Sequence, residues 1–113
     1  MATILIVDDD DGVRQFLTEF LVSLGHVVCT TPSALVALDL VRDGQKFDLL
    51  LTDLQMPDLD GAGLIAALRH IGCQQPMCVL TGWVKTTAVP GADGVLHKPF
   101  HLDELQSLVE RYA

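Results

Sequence analysis

The chain has 113 residues, half of them hydrophobic, and a formal net charge of −8. That length suits one domain around one core, and the acidity argues against a nucleic-acid or anionic-membrane surface. No apolar run reaches the ~18 residues of a membrane span, and the start "MATILIVDDDD" lacks the basic segment of a signal peptide, so the reading is cytosolic.

The three cysteines, Cys29, Cys73 and Cys78, are odd in number and form no CxxC pair, and the four histidines are scattered. A disulfide framework and a structural zinc site are both poor readings. No linker, repeat or low-complexity stretch divides the chain, so residues 1–113 are read as a single domain.

The first element is the apolar run of residues 4–7, which runs straight into Asp8, Asp9, Asp10 and Asp11. Apolar residues throughout suit a strand buried on both faces. Adjacent carboxylates repel and resist burial, so their place beside such a strand needs a reason. Val13, Phe16, Leu17, Phe20, Leu21 and Leu24 then follow at helical spacing, with Gly25 as a stop and Asp10 or Asp11 as the N-cap. A second strand is expected at residues 27–29. A second helix opens near Pro32 or Ser33 and ends at Gly44.

The run "LLLTD" predicts a third strand ending on Asp53, and "GAGLIAALRHIG" a helix closed by Gly72. "CVLTG" gives a fourth strand ending at Thr81, and "VLHKP" a fifth ending near Lys98. Residues 82–93 show no 3.6 period, so a helix there is short or absent; Trp83 suits the core or a loop anchor. The last helix carries Leu102, Leu105, Leu108, Val109 and Tyr112 on one side.

Strands alternating with helices imply an α/β fold, a doubly wound parallel sheet covered on both faces. In such a sheet ligands bind outside the carboxyl ends of the strands. The residues at those ends are the acids 8–11, Asp53, Thr81 and Lys98. Seven of the 15 acids lie in two groups, residues 8–11 and Asp53, Asp58 and Asp60. Two acidic loops meeting at one edge suggest a shared divalent cation; Mg²⁺ uses one or two carboxylates, waters and phosphate oxygens. A carboxylate at Asp53 is a nucleophile for phosphorus. Lys98 supplies a charge and Thr81 a hydroxyl donor for the equatorial oxygens. Taken alone, an Asp after a strand is more often a helix cap, Thr81 a strand end and Lys98 a surface charge. Their arrival at successive strand ends is what those readings leave unexplained.

In this order, "ILIVDDD", "LLLTDLQMPDLDG", "VLTG" and "GADGVLHKPFHLDEL" resemble the receiver domains of two-component response regulators, over essentially the whole length. The resemblance implies a flavodoxin-like (βα)5 fold with strand order 2-1-3-4-5 and Asp53 as phosphoacceptor. Mg²⁺ would be held by Asp8, Asp9, Asp53 and the backbone carbonyl of Gln55, with Thr81 and Lys98 on the phosphoryl group. Pro57 and Gly61 would shape the loop after the acceptor, and the Lys98–Pro99 bond would be cis. A histidine kinase or phosphotransfer protein would be the phosphoryl source and a protein the target. The domain would not be an enzyme beyond its own phosphorylation and dephosphorylation. Two departures stand out: Val95 occupies a position where many receivers carry an aromatic residue, and the stretch from Thr81 to Gly91 resembles a subgroup with a reduced fourth helix.

Two other readings compete. "DDDGV", residues 9–13, looks like the nucleophile motif of haloacid-dehalogenase-type phosphatases, with Asp9 as nucleophile and Asp11 as general acid. That reading wants a further acidic pair after the lysine and leaves "TDLQMPDLDG" without a role. A Ca²⁺ loop fails because counting back from Gly12 or Gly61 puts Val7 or Met56 at the first ligand position.

Overall fold

The computed structural model describes residues 1–82 and 88–113. The elements are β1 (Thr3–Val7), α1 (Asp11–Ser23), β2 (Val27–Thr31), α2 (Ala34–Arg42), β3 (Leu49–Asp53), α3 (Gly61–His70), β4 (Met77–Thr81), β5 (Gly94–His97) and α4 (Leu102–Tyr112). All strand pairs are parallel, in the order β2-β1-β3-β4-β5, as the resemblance implies. Among the described residues no helix lies between β4 and β5; Trp83 and residues 84–87 of the stretch where a helix was expected to be short or absent fall outside them.

Side chains alternate across each strand. Leu5, Val7, Leu50, Met77 and Val79 therefore face α2 and α3, and pack on Ala37, Leu38, Leu64, Ile65 and Leu68. Ile4, Ile6, Leu49, Leu51, Cys78 and Leu80 face α1 and α4, against Leu17, Leu21, Leu105 and Val109. Both faces of the central strands are dry, which explains their unbroken apolar spelling. Burial at Cys78 also pushes its thiol up to about 12, so it stays an uncharged core residue.

The helix boundaries follow their caps. Asp10 accepts from the Val13 N–H at 3.1 Å, Ser33 from Val36 at 3.3 Å and Asp60 from Gly63 at 2.7 Å. The helix ends at Gly25 and Gly72 have φ of 92° and 99°, a region that suits glycine. Four apolar positions are more exposed than the sequence pattern suggests: Phe16, Leu24, Val27 and Leu102. Phe16 is 48% exposed, because it sits about 100° around α1 from Leu17 and lies off the stripe. Val27 is also 48% exposed, because β2 is an edge strand.

At the amino-terminal ends of β4 and β5, Arg69 ties four segments together. Its guanidinium donates to the carbonyls of Cys73 (3.0 Å), Gln75 (2.8 Å) and Gly91 (2.9 Å) and pairs with Asp93 at 3.0 Å. Asp93 in turn accepts from the Met77 N–H, and its carbonyl accepts from the Tyr112 hydroxyl. Arg69→Ala leaves these acceptors short of donors and is expected to cost about 2–3 kcal/mol, read as a lower denaturant midpoint. A wild-type midpoint in this variant would show that water replaces the guanidinium without loss.

Candidate functional site

The register brings the polar strand ends together. Val7 pairs with Thr52, Asp53 with Leu80, and Thr81 with His97. Asp8, Asp53, Thr81 and Lys98 therefore share one edge of the sheet, at its carboxyl end, as the sequence predicted. Carboxylate oxygens of Asp8, Asp9 and Asp53 all lie within 4.8 Å of one another.

The three acids sit in different surroundings. Asp8 is buried, 1% exposed, and its carboxylate is fully engaged. One oxygen accepts from the Asp10 N–H at 2.9 Å and the other from Lys98 Nζ at 3.1 Å. Asp9 is exposed. Asp53 is half-buried at the end of β3. Its Oδ1 accepts from the Leu54 N–H at 2.8 Å and lies 3.8 Å from Lys98 Nζ. Burial raises the Asp53 proton affinity above its ordinary carboxylate value. Lys98 opposes that shift, the Asp8 charge adds to it, and the N–H groups of Leu54 and Gln55 again oppose it.

Lys98 reaches both Asp8 and Asp53 because its own backbone is pinned: its N–H donates to the Thr81 carbonyl at 2.7 Å. The Lys98–Pro99 bond is cis, as the resemblance implies. Thr81 is buried at the end of β4, and Gln55 is exposed two residues beyond Asp53. Asp58, in the loop after Asp53, has φ 69°, a left-handed conformation that a short polar side chain tolerates. Gly61 opens α3 directly against the end of β3, donating its N–H to the Leu54 carbonyl at 2.9 Å.

Sequence reasoning did not find Arg14. This side chain of α1 donates to the Asp8 backbone carbonyl at 2.6 Å and pairs with Asp11. A basic residue one turn into a helix that follows an acidic run was the available signal, but the carbonyl it would select is not written in any motif. Asp11, the general acid of the phosphatase alternative, is 92% exposed in that ion pair.

An α/β sheet with three clustered carboxylates and a lysine at its carboxyl edge defines a phosphoryl- or cation-binding class of domain. The family model described as the response regulator receiver domain matches residues 4–110. The chain belongs to that family. It is 44% identical over 115 residues to the DNA-binding transcriptional regulator NtrC of Azospirillum brasilense, covering 97% of this chain and 24% of that protein. It is 32% identical to the response regulator receiver protein CpdR of Brucella abortus, covering 98% of this chain and 96% of that one. Among solved structures, the response regulator TrrA of Thermotoga maritima, in complex with Mg²⁺-BeF, superposes with a TM-score of 0.90. It is 28% identical, and the match covers 100% of both chains. The chain is thus a receiver of the two-component signalling type, a signalling domain and not an enzyme in the ordinary sense. Nothing in these matches supports the phosphatase alternative.

Proposed function

We propose that this receiver takes a phosphoryl group on Asp53 from a histidine kinase or phosphotransfer protein, in the cytoplasm, with residues 1–113 acting as one domain. The observation that carries the reading is the meeting of Asp8, Asp9 and Asp53 within 4.8 Å, faced by Lys98. The donor set fits Mg²⁺: hard carboxylate oxygens, one of them on the exposed Asp9. Asp8, Asp9, Asp53 and the carbonyl of Gln55 would hold it, and it would supply positive charge to the phosphoryl oxygens when bound.

The chain's own residues do the rest. An Asp53 oxygen attacks phosphorus, forming an O–P bond as the N–P bond of a phosphohistidine breaks, and the imidazole leaves with the electron pair and is protonated. Lys98 is already placed between Asp8 and Asp53 and neutralises charge on the transferred group. The Thr81 hydroxyl donates to a phosphoryl oxygen. Water later hydrolyses the acyl phosphate and returns Asp53 to its free form. Val95 packs as a partly buried aliphatic side chain against the α2/α3 core, so the signal passes to a protein partner without a swinging ring at that position.

Incubation with Mg²⁺ and acetyl phosphate is expected to add one base-labile phosphoryl group, mapped by mass spectrometry to the peptide containing Asp53. Label on a histidine, or none, rejects the assignment.

A further inference from the structure

We propose that Arg14 is a positioning residue for the Mg²⁺ site, acting by fixing the orientation of Asp9. The inference rests on the reading of the acid cluster given above and adds a residue to it.

Asp9 is exposed, and no hydrogen bond to its side chain is present among the described residues. Where its Cα–Cβ bond points, and so which rotamers bring the carboxylate to the site, is set by its backbone. Each peptide unit is planar, so a residue's orientation follows from the two planes that flank it. The first plane carries the Asp8 carbonyl and the Asp9 N–H. That carbonyl accepts from Arg14 Nη1 at 2.6 Å. The second carries the Asp9 carbonyl and the Asp10 N–H. That N–H donates to Asp8 Oδ1 at 2.9 Å. Both planes around Asp9 are thus held, one by Arg14 and the other by a carboxylate that Lys98 holds in turn.

Arg14 is itself fixed. Its side chain is 16% exposed and paired with Asp11, and its N–H donates to the Asp10 carbonyl at 3.1 Å. A charge-assisted bond to a backbone carbonyl from a preorganised guanidinium is a stiff restraint. Its loss frees the Asp8–Asp9 peptide plane to rotate, and the exposed carboxylate swings with it.

Electrostatics alone predicts the opposite sign. Arg14 is a cation near a cation site, so as a mere charge it repels Mg²⁺, and its removal would tighten binding. As a positioning residue its removal weakens binding, as loss of a group that orients a ligand does.

The test is Mg²⁺ titration of the full chain by calorimetry, with melting measured separately in metal-free buffer. Arg14→Ala is expected to bind Mg²⁺ about tenfold more weakly than wild type. Arg14→Lys, which keeps a charged donor, is expected to recover part of the loss. Should the alanine variant fail to fold, Arg14→Met, which keeps the apolar stem and has no donor, replaces it, with the same expected weakening. Wild-type or tighter affinity in the neutral variant, even with a lower melting temperature, gives Arg14 a purely structural role and overturns the proposal. Wild-type protein that takes up no Mg²⁺ overturns the reading of the acid cluster itself, and the inference with it.

Discussion

Replacing Asp53 by Asn is expected to abolish phosphorylation by acetyl phosphate while making the metal-free protein more stable at neutral pH. The first half follows from chemistry, since an amide oxygen is not a nucleophile for phosphorus of comparable strength. The second follows from the raised proton affinity of Asp53. Burial is the main cause, and the Asp8 charge adds to it. The folded state holds this proton to higher pH than the unfolded state does. Between the ordinary value of 3.8 and the raised one, the folded state binds more protons, so stability falls as pH rises. Above the raised value the deficit is complete and constant. Below the ordinary value Asp53 is protonated in both states and contributes none. The gap between Asp53→Asn and wild type should therefore open as pH rises from about 4 and stay open at pH 7. Adding Lys98→Ala to both backgrounds should widen it, because Lys98 opposes the shift. Mg²⁺ should close it by stabilising the folded wild type alone. Melting curves with equal midpoints at pH 7 would show that solvent screens the carboxyl after all.

Most of the site was legible because its residues stand at strand ends, and strands here are spelled as apolar runs that stop at a polar residue. Asp53, Thr81 and Lys98 needed only the rule that parallel strands end on one edge. The unequal standing of the acids was not legible. Asp8 is buried and Asp9 exposed because they are consecutive residues leaving a strand that is covered on both faces, and nothing in "DDDD" says which one points inward. Arg14 and Arg69 escaped for a related reason. Both act on backbone carbonyls, which every residue carries, so their partners leave no mark in the sequence. Phe16 escaped because an apolar residue at the flank of a helical stripe satisfies the same spacing as one at its centre. Pairing at an edge strand is equally silent, so nothing in the apolar run at residues 27–29 marks Val27 as exposed.

Gly61→Ala is expected to injure both stability and phosphorylation, although alanine is the better helix former. Gly61 begins α3, and its backbone lies directly against the end of β3. A Cβ there would overlap the carbonyl oxygen of Asp53 and stand 3.1 Å from both its carbonyl carbon and the Leu54 Cα. These are backbone atoms in a paired strand, so they cannot swing aside as a side chain can. Either α3 moves outward, breaking the Gly61–Leu54 hydrogen bond, or the Asp53 peptide tilts and takes the carboxylate away from Lys98. Overpacking of this kind costs about 1–3 kcal/mol, with the upper end expected where backbone meets backbone. A displacement of the acceptor by about 1 Å is expected to slow labelling by acetyl phosphate about a hundredfold. Gly63 supplies the comparison. It lies in the same first turn, gains the same helix propensity on substitution, and keeps its N–H bond to Asp60. Its added Cβ would meet the Leu59 Cδ1 at 2.7 Å, the far end of a flexible side chain that can turn away. Gly63→Ala is therefore expected to stay within about 1 kcal/mol of wild type and to be labelled at a near wild-type rate. Equal losses in the two variants would mean that the turn itself needs glycine at both places, and that the close approach of α3 to the acceptor is not what makes Gly61 necessary.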